Sequence, residues 1–135
     1  MAVSITRDVY PKTSKLVALY EAAGCAAAAE DEAALTRAVA QSLAVVTAWE
    51  DEERLVGLAR AVGDGERAFY IQDLLVHPDY RRRGVGRALL RELCAMYPTV
   101  PRKVLLTDGS PEAEAFCRAA GLAPLGERGL AAWTE

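Results

Sequence analysis

Histidine and cysteine, two residue types that often hold a catalytic metal, are scarce in this sequence. It has one histidine and three cysteines in 135 residues. Cys25, Cys94 and Cys117 have neither CxxC nor metal-ligand spacing, so we expect no dedicated metal site. Their odd number also argues against a disulfide framework and favours a reducing compartment, so we expect a cytoplasmic protein.

Long apolar runs and a strong charge of one sign are also missing. No apolar stretch approaches the roughly 18 residues that a membrane-spanning helix needs, and residues 1–10 lack the apolar core of a signal peptide. We therefore expect no membrane partner. The formal net charge is -3 and the sequence pI is near 5.3. Despite three adjacent arginines, this balance argues against a nucleic-acid partner that is bound by bulk positive potential.

Length and composition indicate a globular chain with one core. Hydrophobic residues make up 52% and charged residues 26%. A chain of this size buries about two-thirds of its unfolded surface on folding. No internal repeat and no Pro/Gly/Ser-rich linker divides the sequence, so we expect a single domain over residues 1–135.

Hydrophobic periodicity predicts the order of the secondary-structure elements. A strand is expected over residues 3–8, two helices over residues 11–24 and 30–42, and a β-hairpin over residues 44–49 and 55–62. A long strand is then expected over residues 68–76, an amphipathic helix over residues 85–97 and a short buried strand over residues 104–107. Another helix follows over residues 110–121, and two short tail strands lie within residues 122–133. The order β-α-α-β-β-β-α-β-α-β-β predicts an α/β (α+β) fold with a mixed central β-sheet flanked by helices.

The turn between the long strand and the amphipathic helix is the most informative segment. It reads Arg81-Arg82-Arg83-Gly84-Val85-Gly86. A helix N-terminus presents unpaired N–H groups, the two glycines let a phosphate approach the backbone, and arginines add charge-assisted hydrogen bonds. An anion-binding turn is therefore predicted, with a solvated basic turn as the alternative. A dinucleotide fingerprint would need glycine in place of Leu89, and a P-loop would need Gly-Lys-Ser/Thr.

Two segments resemble the GNAT superfamily of N-acetyltransferases. Residues 73–90 read DLLVHPDYRRRGVGRALL and resemble the family's acetyl-CoA-binding core, in which V-x-P is followed by Q/R-x-x-G-x-G/A and a helix with paired leucines. Residues 115–122 read AFCRAAGL and are similar to its second signature, F-Y-x-x-x-G-F. The resemblance implies a GNAT-like fold and acetyl transfer from acetyl-CoA to a primary amine of a small molecule or to a free α-amino group.

The resemblance also implies which residues bind coenzyme A. The backbone of residues 74–76 would pair with the pantetheine arm, and the backbone N–H groups of residues 82–87 would bind the pyrophosphate. Ser110 occupies a position where the family often has an asparagine that contacts coenzyme A. The complete expected set is Leu74, Leu75, Val76, Arg81, Arg82, Arg83, Gly84, Val85, Gly86, Arg87, Ser110 and Cys117.

Catalytic roles implied by the resemblance fall on residues that differ from the family's usual ones. The N–H of Val76 is expected to stabilise the oxyanion. Gln72 occupies the position of a glutamate base, so Asp73 is the nearest carboxylate, on the opposite strand face unless the strand bulges. Cys117 replaces a tyrosine acid, and a thiol with a pKa of about 8.5 can protonate a thiolate. Asp73 can instead fix the strand end, and Cys117 can be a core residue.

The acceptor pocket is expected to contain side chains from the first part of the chain. They are Tyr20, Trp49, Tyr70 and Gln72. Tyr70 and Gln72 lie two residues apart and are expected to share a strand face. Each aromatic residue is also a candidate for the core, and His77 is expected to be a turn residue.

Two other functions stay open. Because Gln72 and Cys117 replace both usual proton-transfer residues, the chain can be a catalytically weak acyl-CoA-binding sensor or partner module. An anion-binding domain for another phosphorylated ligand would also explain the turn, although it leaves residues 116–122 unexplained. Dimers are frequent among similar proteins, and the two tail strands would supply the edge for a homodimer.

Overall fold

A mixed five-stranded sheet organises the first part of the chain. The computed structural model describes residues 2–135, which divide into one unit through Leu105 and a second unit from Leu106 to Glu135. The strands are β1 (Val3–Arg7), β2 (Ala44–Glu50), β3 (Arg54–Val62), β4 (Tyr70–Val76) and β5 (Val104–Leu105). They lie in this order across the sheet, with β1 to β4 antiparallel and β5 parallel to β4. The expected mixed sheet is confirmed.

Four helices belong to the same unit as the sheet. They are α1 (Thr13–Ala22), α2 (Ala26–Ala29), α3 (Glu32–Ala40) and α4 (Val85–Ala95). The carboxylate of Asp31 caps α3 by accepting a hydrogen bond from the N–H of Ala34, as the acidic cluster before this helix suggests. Gly24 has φ +89°, a left-handed conformation suited to glycine just after α1. The predicted helices are confirmed, and the alanine-rich segment adds the unpredicted single turn α2.

The sheet separates two groups of helices. One face packs on α1, α2 and α3 through a cluster of buried side chains, Leu16, Leu19, Tyr20, Ala29, Leu35, Val39, Val45, Trp49, Leu55, Leu58 and Leu75. The other face packs on α4. At Gly57 an added Cβ would lie 2.9 Å from Leu89 of α4 and 3.3 Å from the Cβ of Ala48. Glycine in β3 therefore lets α4 approach the sheet closely.

The second unit contains one helix and an irregular tail. Helix α5 (Pro111–Ala119) begins at Ser110, whose hydroxyl accepts a hydrogen bond from the N–H of Ala113. This start is the one that the Ser-Pro pair predicts. The less exposed residues of α5 include Phe116 and Cys117, on the apolar stripe expected from the sequence.

The two tail strands predicted over residues 122–133 are wrong. The structure has a 3-10 turn at Leu125–Arg128, with Gly129 in a left-handed conformation at φ +74°. An ion pair at 2.9 Å joins Arg118 to Glu127 and holds this turn against α5. Trp133 is 92% exposed, so the tail has no buried apolar face that would favour a strand. The strand edge expected for a homodimer is therefore absent from the described tail.

Candidate active site

The last ladder of the sheet is short and leaves most of one edge of β4 without a partner strand. Strands β4 and β5 pair at only two positions, Tyr70 with Val104 and Ile71 with Leu105. Beyond them β4 continues to Val76, and no strand of the described sheet pairs with it on that side. The backbone of the last residues of β4 can therefore form hydrogen bonds to an extended ligand.

The direction of the backbone groups shows which of them face this open edge. The N–H of His77 donates to the carbonyl of Val56 in β3 at 2.8 Å. Backbone groups of successive residues in a strand point to opposite edges, so the N–H groups of Val76 and Leu74 point away from β3. These two residues were predicted to bind coenzyme A, and the structure places their donors at the open edge.

The arginine-glycine turn follows directly from this edge. A 3-10 turn at Pro78–Tyr80 leads to Arg82 with φ +63° and Gly84 with φ +80°, both left-handed, and α4 begins at Val85. Left-handed residues that alternate with other conformations direct successive N–H groups toward a common concave surface. No side chain caps the start of α4. The turn therefore has the geometry of a phosphate site.

The arginine side chains of the turn are exposed, and each has a different setting. Arg81 donates from Nε to the carbonyl of Val76 at 3.3 Å. The guanidinium of Arg83 lies over the ring of Tyr80, with 5.2 Å between its central carbon and the ring centroid. Arg82 has the left-handed backbone, which is costly for a residue with a side chain and is most often kept at functional sites.

A β-bulge in β4 changes the side-chain alternation. Ala61 of β3 pairs with Ile71, whereas its neighbour Arg60 pairs with Asp73. Gln72 is therefore the extra residue of the bulge and has no partner in β3. The bulge places Asp73 on the same face as Tyr70, the face that packs on α1 and α3. The expectation that Tyr70 and Gln72 share one strand face is therefore wrong. Gln72 is exposed at the bulge.

Asp73 lies in a network of part-buried polar groups. Its Oδ2 accepts hydrogen bonds from the Nε of Arg60 at 2.7 Å and from the hydroxyl of Tyr20 at 2.8 Å. Arg60 also donates to Ser42 at 3.3 Å and to the carbonyl of Ala38 at 3.4 Å. Burial, followed by the Asp73 carboxylate, raises the pKa of Tyr20 well above its ordinary value, so the phenol stays protonated and donates.

The four residues expected in the acceptor pocket have different environments. Tyr20 has no exposed surface, so it can influence an acceptor only through its bond to Asp73. Trp49 is 9% exposed and donates from Nε1 to the hydroxyl of Thr47 at 2.8 Å. Tyr70 is half-buried and Gln72 is exposed. The structure therefore brings Tyr20 together with Asp73, and it places Trp49 mainly in the core.

An open cleft of about 590 Å³ lies at the end of the sheet where β4 ends and β3 begins. Its lining includes Lys15, Leu19, Glu53, Arg54, Leu55 and His77. The sequence gives no common signal for these residues, because they come from α1, the β2–β3 turn, the start of β3 and the residue after β4. Arg60 was missed as well. Its only sequence signal is a charge inside the otherwise apolar run of β3.

The second unit holds two further residues of the predicted coenzyme A set, Ser110 and Cys117. The hydroxyl of Ser110 is engaged as the cap of α5. Burial raises the pKa of the Cys117 thiol above its ordinary value. At neutral pH the side chain is therefore a protonated thiol, and this is the form that a general acid requires.

Cys117→Ala is expected to lower kcat if the thiol supplies the proton that the resemblance implies. A loss of proton transfer alone lowers kcat without changing the KM for acetyl-CoA, whereas a rise in that KM would show that Cys117 contacts coenzyme A, as its place in the expected set predicts. General acid catalysis contributes typically about 100-fold or more, so the decrease should exceed tenfold. Steady-state kinetics measures this, with Cys94→Ala as the matched control. An unaltered kcat in Cys117→Ala would assign the residue to packing.

Clusters of potential metal ligands are not found in residues 2–135. No group of three or more His, Cys, Asp or Glu side chains lies close enough to hold an ion there. Among the helices of those residues, none has the length and apolar character needed to cross a membrane.

Comparison with known families identifies the class of protein that this fold and site define. The sequence matches the acetyltransferase (GNAT) family model over residues 10–121. The protein therefore belongs to the GNAT family. The uncharacterized N-acetyltransferase ycf52 of Porphyra purpurea is 28% identical over 83 residues, which are 60% of this chain and 48% of that protein. The chain thus spans about half the length of this curated relative.

Solved structures show the same fold. A GNAT-family acetyltransferase of Streptococcus pneumoniae TIGR4 has a TM-score of 0.86 and 26% identity, covering 99% of this chain and 97% of that one. Aminoglycoside N-acetyltransferase AAC(6')-Iy, in complex with CoA, has a TM-score of 0.69 and 18% identity, covering 91% of this chain and 89% of that one. At the lower identity the likeness shows the fold alone.

Proposed function

We propose that this protein transfers the acetyl group of acetyl-CoA to a primary amine of a small molecule or to a free α-amino group. The observation that carries the proposal is the open edge of β4, which leads directly into the anion-binding turn. A strand edge suits the amides of a pantetheine arm, and the turn suits a pyrophosphate. Family membership and the coenzyme A complex of the aminoglycoside enzyme support the same donor.

The proposed donor fits the main-chain groups of this site. The backbone of Leu74 and Val76 would hold the pantetheine arm, and the backbone of residues 82–87 would hold the pyrophosphate. Acetyl-CoA supplies an activated acyl group when it is bound. The N–H of Val76 points to the open edge, where it can donate to a carbonyl oxygen on which negative charge develops.

Asp73 is proposed to take part in proton removal from the acceptor amine. Simple alternation would place Asp73 on the sheet face opposite to Tyr70. The bulge in β4 instead places Asp73 on the same face as Tyr70. Its Oδ2 accepts the bonds from Arg60 and Tyr20, so Oδ1 is the oxygen that can accept from a water or an amine. An amine is mostly protonated at neutral pH, so it must lose a proton before it attacks.

The location and domain organisation are proposed from the same observations. Three unpaired thiols in the described chain suit a reducing compartment, and we therefore propose a cytoplasmic location. We also propose that residues 1–135 act as one acetyltransferase domain, since the family match extends from the first unit into the second.

A sensor or partner module that binds acyl-CoA without efficient transfer is the second candidate. One observation favours it. The carboxylate of Asp73 is already engaged by Arg60 and Tyr20, and the glutamate position of the family is the exposed Gln72. Such a module would keep the open edge of β4 and the turn while lacking an efficient base.

Calorimetric titration with acetyl-CoA, followed by thiol release with a pooled amine library, tests the proposal. We expect micromolar binding and thiol release above the hydrolysis background. Binding without transfer to any amine would favour the sensor module. Failure to bind acetyl-CoA would contradict both functions and leave only a different phosphorylated ligand for the turn.

A further inference from the structure

The main-chain carbonyl of Val76 faces the open edge of β4, as its N–H does. Val76 pairs with Gly57 of β3, and the N–H of the next residue, His77, donates to the carbonyl of Val56 at 2.8 Å. This is the pattern of a non-hydrogen-bonded pair, in which the N–H and the carbonyl of one residue both point away from the partner strand. The edge therefore presents one donor and one acceptor at Val76.

The side chain of Arg81 already uses this acceptor. Its Nε donates to the carbonyl of Val76 at 3.3 Å. An extended ligand that pairs with the edge of a strand needs such a carbonyl for one of its own N–H groups. Arg81 therefore lies where it competes with the pantetheine arm of the proposed donor.

The 3-10 turn at Pro78–Tyr80 brings Arg81 back to the end of β4. The N–H of Tyr80 donates to the carbonyl of His77 at 2.9 Å. Tyr80 is 3% exposed, and its ring centroid lies 5.8 Å from that of His77. This buried neighbour fixes the backbone that carries Arg81, so the turn places the guanidinium within reach of Val76.

A phosphate is a stronger partner for Arg81 than the carbonyl of Val76. The bond to the carbonyl is longer than the usual N–H···O distance of about 2.9 Å. Within residues 2–135 the exposed guanidinium of Arg81 forms no ion pair. A phosphate offers it a bidentate partner of opposite charge, whereas a carbonyl is a single neutral acceptor. Arg81 also begins the turn that is proposed to hold the pyrophosphate.

We propose that Arg81 selects donors whose pantetheine arm carries a pyrophosphate. Arg81 leaves the carbonyl of Val76 when its guanidinium binds the pyrophosphate, and this exchange makes the carbonyl available to the arm. Acyl-pantetheine thioesters without a pyrophosphate must compete with Arg81 for the same oxygen. The inference rests on the proposed function, because it concerns the donor of that same site.

Opposite changes in the affinities for the arm and for the whole donor test the exchange. Arg81→Met removes the guanidinium and keeps a long side chain. It should bind pantetheine about fivefold more tightly than the unmodified protein, because the acceptor at Val76 no longer has a competitor. It should bind acetyl-CoA about tenfold more weakly, because the lost bond to the pyrophosphate outweighs the broken bond to Val76 that is no longer needed. NMR titration of the protein amides gives the first affinity even if it is millimolar, and calorimetric titration gives the second.

Arg82→Met is the matched control. Arg82 is the next residue of the turn, is exposed, and forms no hydrogen bond with Val76. Its replacement removes the same charge from the turn while Arg81 stays in place. The affinity for pantetheine should therefore not rise, although acetyl-CoA can bind more weakly.

Two results would overturn the proposal. One is an unchanged affinity for pantetheine in Arg81→Met, which would mean that the carbonyl of Val76, with its two lone pairs, accepts both groups at once. The other is an equal gain in Arg82→Met, which would mean that the charge of the turn, and not the bond to Val76, disfavours the arm.

Failure of the proposed function gives a different pattern from failure of this inference. Binding of acetyl-CoA to the unmodified protein without the gain for pantetheine in Arg81→Met would reject the inference alone. The gain for pantetheine without transfer to any amine would support selection by Arg81 while rejecting the transferase. Absence of acetyl-CoA binding to the unmodified protein would reject the two together.

Discussion

Gly86→Glu is expected to abolish binding of acetyl-CoA while the fold is retained. Gly86 lies in the first turn of α4, which begins after the left-handed Gly84 without a side-chain cap. A glutamate there adds a negative charge and four non-hydrogen side-chain atoms beyond Cβ where the proposed pyrophosphate would lie. Charge-assisted hydrogen bonds contribute roughly 1.5–3 kcal/mol each, so the loss of two corresponds to a decrease in affinity of at least about 100-fold. Calorimetric titration measures it.

Ala95→Glu provides the matched control for this change. It adds the same charge at an exposed position at the other end of α4, about 13 Å away at 1.5 Å per residue. The affinity for acetyl-CoA should remain close to that of the unmodified protein. Circular dichroism should show the same helix content in both variants. If Gly86→Glu bound acetyl-CoA as well as Ala95→Glu does, the phosphate site would have to lie away from this turn.

Arg60→Met is expected to destabilise the protein by about 3 kcal/mol, because it leaves the Asp73 carboxylate part-buried without its cation. The side chains of Arg60 and Asp73 are 12% and 19% exposed, and their atoms lie 2.7 Å apart. The double variant Arg60→Met/Asp73→Asn should recover most of this loss. Asparagine removes the charge while keeping an oxygen that can accept the hydrogen bond of Tyr20. Urea denaturation gives the free energies of unfolding.

An exposed ion pair serves as the control for the buried one. Arg7 pairs with Glu92, and their side chains are 47% and 39% exposed. Exposed pairs contribute roughly 0–1 kcal/mol, so Arg7→Met should have a small effect. Equal effects of Arg7→Met and Arg60→Met would show that the network around Asp73 does not stabilise the fold. Failure of the double variant to recover stability would show that Arg60 acts through its contacts with Ser42 and Ala38 instead.

Much of the fold could be predicted from the sequence because local signals and burial agree along most of the chain. Hydrophobic periodicity identified α1, α3 and α4, and the Ser110-Pro111 pair identified the start of α5. The tail was mispredicted because Gly126 and Gly129 indicate turns but do not distinguish a hairpin from an isolated 3-10 turn. A strand would have required a partner and a buried face, which sequence alone does not show.

The site was predictable only where it consists of consecutive residues. The turn from Arg81 to Gly86 has a local signature, and the structure gives it the expected helix start. The bulge at Gln72 was not predictable, because it depends on how β4 pairs with β3. Lys15 and Arg54, which both line the cleft, are far apart in the sequence, and the cleft depends on the packing of α1 against the sheet.

The short ladder between β4 and β5 also determines which substitutions the protein can tolerate. A ligand held by the main-chain groups of Leu74 and Val76 does not depend on the identity of their side chains. Other strand-forming residues can therefore replace them and keep the contact, whereas proline would remove the N–H donor. Sequence can diverge along this strand while the open edge persists, as long as the backbone keeps its register.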